Sequence, residues 1–109
     1  MLGLAVIFGA FGAHALRERL DVYSMGIWEK AVFYHFVHAL GLLVVPVVAP
    51  RVANTVGVLL FAGILLFSGS LYALALTGVR TLGAVTPLGG IAFIAAWMWL
   101  AIDLFRSKA

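Results

Sequence analysis

Hydrophobic side chains run along this chain in long unbroken stretches, and the charged positions fall in the gaps between them. The charge-free runs are Met1–Leu16, Ala31–Pro50, Val52–Val79 and Thr81–Ile102, of 16, 20, 28 and 22 residues. About 20 apolar residues in helical form cross the hydrocarbon core of a bilayer. In lipid every backbone N–H and C=O must be satisfied by the protein, so only helices or closed barrels span it. A barrel needs segments of roughly ten residues alternating polar and apolar, and these runs are apolar throughout. The pattern predicts an all-α, four-helix transmembrane bundle, one domain over residues 1–109, with helices at about 1–16, 31–49, 55–78 and 82–104. The first is short, since its residues at about 1.5 Å each reach only about 24 Å of a core about 30 Å thick.

The connection Arg17–Lys30 carries six of the eleven charges. Within it Leu20, Tyr23, Ile27 and Trp28 share one helical face, which reads as a short amphipathic segment lying in the membrane interface. The alternative is an irregular loop whose Tyr23 and Trp28 join the aromatic belt. Call the membrane face with this connection and the Gly78–Gly83 turn side B, and the face with Arg51 and the C-terminal tail side A. Side B holds Arg17, Arg19, Lys30 and Arg80, and side A holds Arg51, Arg106 and Lys108. That split is too even for the positive-inside rule to orient the chain.

Composition narrows the function classes. The chain is 65% hydrophobic and 10% charged, with 7 Lys+Arg against 4 Asp+Glu and a net charge of +3. Soluble domains carry about 25% charged residues, so these few charges cannot clothe a water-facing surface. The cations sit at segment ends and not along one exposed face, which argues for lipid headgroups and against nucleic acid as their partner. With no cysteine there is no disulfide, thiolate metal site or thiol nucleophile. No Gly-rich phosphate loop, HExxH or GxSxG pattern occurs, which points away from an enzyme. Ala13-His14-Ala15 has the form of a signal-peptide cleavage site, but no basic segment precedes it.

Polar residues inside the runs are distributed unevenly. His14 ends the first run at side B, and Tyr34, His35 and His38 lie one to two turns into the second from side B. Ser68, Ser70 and Tyr72 occupy the side B half of the third run, and Thr86-Pro87 that of the fourth. The side A halves contain almost none. This predicts a polar pocket between helices in the side B leaflet, with His14, Tyr34, His38, Ser68, Ser70, Tyr72 and Thr86 as ligand-binding candidates. Pro87 and Pro46, read as interior to helices, would free the carbonyls of Gly83 and Leu42. Glycines and alanines at four-residue spacing favour close helix contacts. No cofactor is expected on the leading reading. As alternatives, His14, His35 and His38 are candidate ligands for zinc or copper, with water or Glu29 as a fourth group, and His14 with His35 for a bis-histidine haem. Histidines satisfied by neighbouring hydroxyls and carbonyls would give the same sequence pattern. Glu18, Asp21, Glu29 and Asp103 all lie outside or at the ends of the spans, which argues against ion coupling through intramembrane carboxylates. Arg51 and Arg80 read as interfacial anchors, and Trp97 and Trp99 as aromatic belt.

Four motifs in order, Gly9-Ala-Phe-Gly-Ala-His14-Ala-Leu16, Tyr34 with His38-Ala39-Leu40, Phe67-Ser-Gly-Ser-Leu-Tyr72-Ala-Leu and Thr86-Pro-Leu-Gly-Gly90, resemble the small bacterial membrane proteins of the YgdD/YwdK type. That is a domain-of-unknown-function family with a eukaryotic branch among the transmembrane proteins. The likeness covers roughly Gly9 to Trp97 and implies a four-helix integral membrane protein of the bacterial cytoplasmic membrane, with no activity attached. His14, Tyr34, His38, Ser68, Ser70, Tyr72, Thr86 and Pro87 fall on its motif positions, and His35 does not. Members usually have more residues before the Gly9 motif, which favours a shortened amino terminus over a cleaved signal.

The expected role is a non-enzymatic binder of a lipid-like ligand or membrane partner, with membrane lipids, a homo-oligomer or a larger membrane complex as partners and no nucleic acid. The alternatives are an oligomeric small-solute or ion transporter or channel, and a metal- or haem-binding redox accessory.

Overall fold

A computed structural model describes residues 1–107; Lys108, assigned above to side A, lies outside them. They form four helices joined by short connections: α1 (Leu2–Leu16), α2 (Val22–Val48), α3 (Pro50–Thr77) and α4 (Arg80–Ser107). Successive helices run antiparallel, and no strand occurs among the described residues. α2, α3 and α4 are long and apolar enough to cross a membrane, while α1 is shorter. The chain measures 53 × 26 × 17 Å, so its long axis exceeds the hydrocarbon core and both ends reach headgroup depth.

Local chemistry sets the boundaries. Asp21 caps α2, its carboxylate accepting the backbone N–H of Ser24 at 2.7 Å, and this bond holds the Asp21 carboxyl below its ordinary pKa. α2 therefore begins at Val22 and not near residue 31. The amphipathic stretch before Lys30 is the first two turns of α2 and not a separate interfacial helix. Its Trp28 is buried, whereas Tyr23 is exposed. At the far end of α3, Gly78 adopts a left-handed φ of +72° and its N–H donates to the Leu74 carbonyl at 2.8 Å, a helix stop that glycine takes at no steric cost. α4 then opens with a 3₁₀ stretch, Arg80–Ala84, before regular helix from Thr86. Pro87 consequently sits in the first turn of that regular segment, where no donor is required. It does not break a continuous helix over 82–104, because the regular segment starts only at Thr86. Pro46 does lie inside a helix, α2.

The side A half is packed as the sequence pattern predicts. Ala39, Val45, Val56, Leu60, Phe93 and Ala96 form a continuous buried cluster there. The close approach of α3 to α4 depends on Gly63 and Gly89. A Cβ at Gly89 would collide with the backbone of Phe67, and one at Gly63 would collide with the ring of Phe93. At the opposite, outer face of the bundle, side chains such as Val47, Val58 and Ile94 stay largely exposed, as lipid-facing positions do. Two single π-turns interrupt the helices, at Gly12–Leu16 in α1 and Ile64–Ser68 in α3. Both lie in the half of the molecule where polar side chains collect.

Candidate functional site

Each polar side chain of the side B half was expected to open into a shared pocket. The structure instead joins most of them in short hydrogen-bonded clasps between helices. Ser68, fully buried at the end of the α3 π-turn, donates to the Ala31 carbonyl of α2 at 2.8 Å. Ser70 meets Thr86 at 2.6 Å, linking α3 to α4, and also donates to the Phe67 carbonyl at 3.0 Å; the one hydroxyl hydrogen each carries then has Thr86 donating to Ser70. The Tyr72 hydroxyl of α3 pairs with His35 Nδ1 of α2 at 2.9 Å.

His38 is fixed from both sides. Its Nδ1 stands 2.8 Å from the Tyr34 carbonyl and its Nε2 accepts from the Trp97 indole N–H at 3.0 Å. A carbonyl can only accept and an indole N–H can only donate, so Nδ1 carries the proton and the ring is the neutral tautomer. Its plane stacks on Phe93 with centroids 3.5 Å apart. Tyr34 contributes through this carbonyl and through a ring packed on Phe67 at 4.6 Å. Trp97, read from the sequence as belt, is a hydrogen-bond donor joining α4 to α2.

His14 does not join this layer. The face of α1 turned to the bundle carries Ala5, Gly12 and Leu16, all buried. His14 stands two residues from Gly12, about half a turn round the helix, and is exposed beside Glu18 and Arg19. The three histidines thus point to three different surroundings, and among the described residues no group of three or more His, Cys, Asp or Glu is placed to hold a metal ion. A bis-histidine pairing of His14 with His35 fails for the same reason. His35 Nε2 is buried without a partner among the described residues.

Among the openings at side B is a cleft between α1 and α2. Its volume is about 200 Å³, and it is lined by Gly9, Gly12 and Ala13 from α1, by Met25, Trp28 and Val32 from α2, and by Arg17 and Glu29. Trp28 forms the inner wall. Its indole N–H donates to the Phe8 carbonyl at 2.9 Å, and its ring packs against Tyr72 at 4.6 Å and Phe8 at 5.9 Å. Gly12 admits it, since a Cβ there would overlap the indole. The clasps His35–Tyr72 and Trp28–Phe8 hold the wall, so the cleft is formed before anything enters it. Arg17 and Glu29 are exposed. From the sequence Arg17 counted only among the side B cations, and Trp28 as part of the interfacial segment. The available signal was Trp28 in phase with Ala31 and His35 on one face of α2, opposite the glycines of the first motif.

Apolar helices of spanning length, a greasy side A core and a polar half at side B define a multi-pass α-helical integral membrane protein. The chain belongs to the family described as "Protein of unknown function (DUF423)", whose profile matches residues 8–90. It is 53% identical over 106 residues to a UPF0382 membrane protein of Staphylococcus epidermidis, covering 94% of this chain and 87% of that one. It is 49% identical to a UPF0382 membrane protein of Staphylococcus haemolyticus, with the same coverage of 94% and 87%. To the UPF0382 membrane protein YwdK of Bacillus subtilis it is 48% identical over 104 residues, 91% of this chain and 85% of that one. No solved structure matches.

Proposed function

We propose that this protein is a non-enzymatic membrane binder that holds a lipid-like molecule, polar at one end and apolar at the other, at its side B face. The observation that carries this reading is the cleft between α1 and α2, lined by Gly9, Val32 and the buried Trp28 together with the exposed charges of Arg17 and Glu29. An amphiphile matches that lining, because its head can meet the exposed charges while its body follows the exposed apolar flank of α1, where Val6 and Ile7 are largely uncovered. The polar residues picked out by the sequence act here as clasps. Tyr34, His38, Ser68, Ser70, Tyr72 and Thr86 lock α2, α3 and α4 so that α1 packs on a rigid partner.

The test is retention of lipid by protein purified in mild detergent, quantified by mass spectrometry. Ala13→Trp fills the cleft and is expected to lose the retained molecule. Ile94→Trp, on an exposed lipid-facing position of α4, is expected to keep it. Equal retention by both variants, with helicity unchanged, refutes the proposal; retention of a protein in place of a lipid redirects it to a partner helix.

A further inference from the structure

Arg17 and Glu29 are the two charged residues lining the cleft, and they have opposite signs. Among the described residues the one ion pair is Arg51 with Asp103, at 3.3 Å on side A. Arg17 and Glu29 therefore share a cavity without touching each other. Their charges cancel, so the cleft as a whole favours neither an anion nor a cation, yet neither charge has an ion-pair partner among the described residues. A ligand that is itself neutral overall, with an anionic and a cationic group separated by a short linker, satisfies both.

From this charge pattern we infer that the cleft selects a zwitterionic phospholipid with a primary ammonium head group, the phosphate on Arg17 and the ammonium on Glu29. This rests on the cleft reading above. The planar guanidinium forks onto phosphate oxygens through two parallel N–H donors. The Glu29 carboxylate accepts only, and a primary ammonium brings three N–H donors to it. A trimethylammonium head brings none. It would need an aromatic face instead, and the indole of Trp28 is only 3% exposed, with its N–H already bound to Phe8. An anionic head with no ammonium satisfies Arg17 but faces the Glu29 carboxylate. The site lies at the right depth for such a head, since Arg17 follows the last residue of α1 and Glu29 lies in the first turns of α2.

The experiment uses the full chain, delipidated and then returned to micelles containing equal amounts of ethanolamine-, choline- and glycerol-headed phospholipids of the same acyl chains, with bound lipid read by native mass spectrometry. The ethanolamine lipid is expected to be enriched over each of the others by about two- to fivefold, the scale of one solvent-exposed ion pair. Glu29→Gln is expected to abolish the preference for ethanolamine over choline and to raise binding of the glycerol lipid. Arg17→Gln is expected to weaken all three. Both residues are exposed, and unchanged helicity shows that the variants are folded. Bound lipid with no head group preference, or with the anionic lipid preferred, overturns this inference and leaves the cleft reading intact. Absence of bound lipid from the unmodified chain, or equal binding by Ala13→Trp, overturns the cleft reading itself.

Discussion

Gly89 and Gly90 are chain neighbours in one helix, yet alanine should act on them in opposite directions. A Cβ at Gly89 would lie 2.7 Å from the Cβ and 2.8 Å from the Cα of Phe67, and would overlap its backbone nitrogen. Carbon atoms settle at about 3.5–4.0 Å, so α3 and α4 must move apart by about 1 Å. The obstructing atoms are backbone, so no rotamer change relieves the overlap. Separation also disturbs Gly63 against Phe93 and the Phe67–Phe93 ring pair, centred 5.5 Å apart. Overpacking of this kind costs about 1–3 kcal/mol, and Gly89→Ala should fall at the upper end. At Gly90 the new Cβ would meet only the Phe67 ring, at 3.9 and 4.0 Å, which is ordinary contact. There the substitution recovers the roughly 0.5–1 kcal/mol that glycine forfeits in a helix interior. The two variants should then differ by about 2–4 kcal/mol, well over tenfold in the unfolding equilibrium. Unfolding of the micelle-bound protein by titration with a denaturing detergent, followed by circular dichroism, measures that difference. Gly89→Ala as stable as the unmodified chain, or Gly90→Ala the less stable of the pair, would refute the close crossing of α3 and α4.

Other expectations concern the clasps and the cap. Ser68→Ala deletes the bond to the Ala31 carbonyl and should cost about 0.6–1.7 kcal/mol, the range for interhelical hydrogen bonds in membranes, in the same unfolding assay; Ser68→Leu, which must also overfill a fully buried site, should cost clearly more. Trp97→Phe leaves His38 Nε2 without its donor, and should lower stability more than Trp99→Phe, an exposed position; equal losses would show that the bond to His38 contributes nothing. Gly12→Ala should displace the Trp28 indole and shift its fluorescence, while Gly3→Ala, where nothing stands within 4 Å, should leave it unchanged. Asp21 has its native pKa lowered by the Ser24 N–H, so its cap supports α2 at any pH above the ordinary carboxylate value and the support fades as pH falls through the lowered native one. Amide exchange at Val22–Met25 should therefore accelerate on acidification, and Asp21→Ala should abolish that dependence.

Much of this molecule was legible in the order of its residues. The charge-free runs set the number of helices, because lipid tolerates neither unpaired backbone nor scattered charge, and that constraint acts on sequence directly; three of the four are long enough to cross a membrane. The uneven placement of Ser, Thr, Tyr and His likewise marked the half in which hydrogen bonds form. Partner choice was another matter. Whether His14 faces the bundle depends on the rotation of α1, which packing of Gly12 on Trp28 decides. Whether Trp97 sits in a belt or donates to His38 depends on how close α4 lies to α2, and Gly63 and Gly89 regulate the neighbouring α3–α4 distance. The same holds for Pro87, whose meaning changed once helix α4 was found to restart at Thr86. Hydrophobic periodicity reports a residue's depth and face within its own helix; it carries no record of the angle at which a second helix arrives. The polar layer could be anticipated as a composition at one depth, and only the packed bundle turned it into closed pairs with a cleft left open beside them.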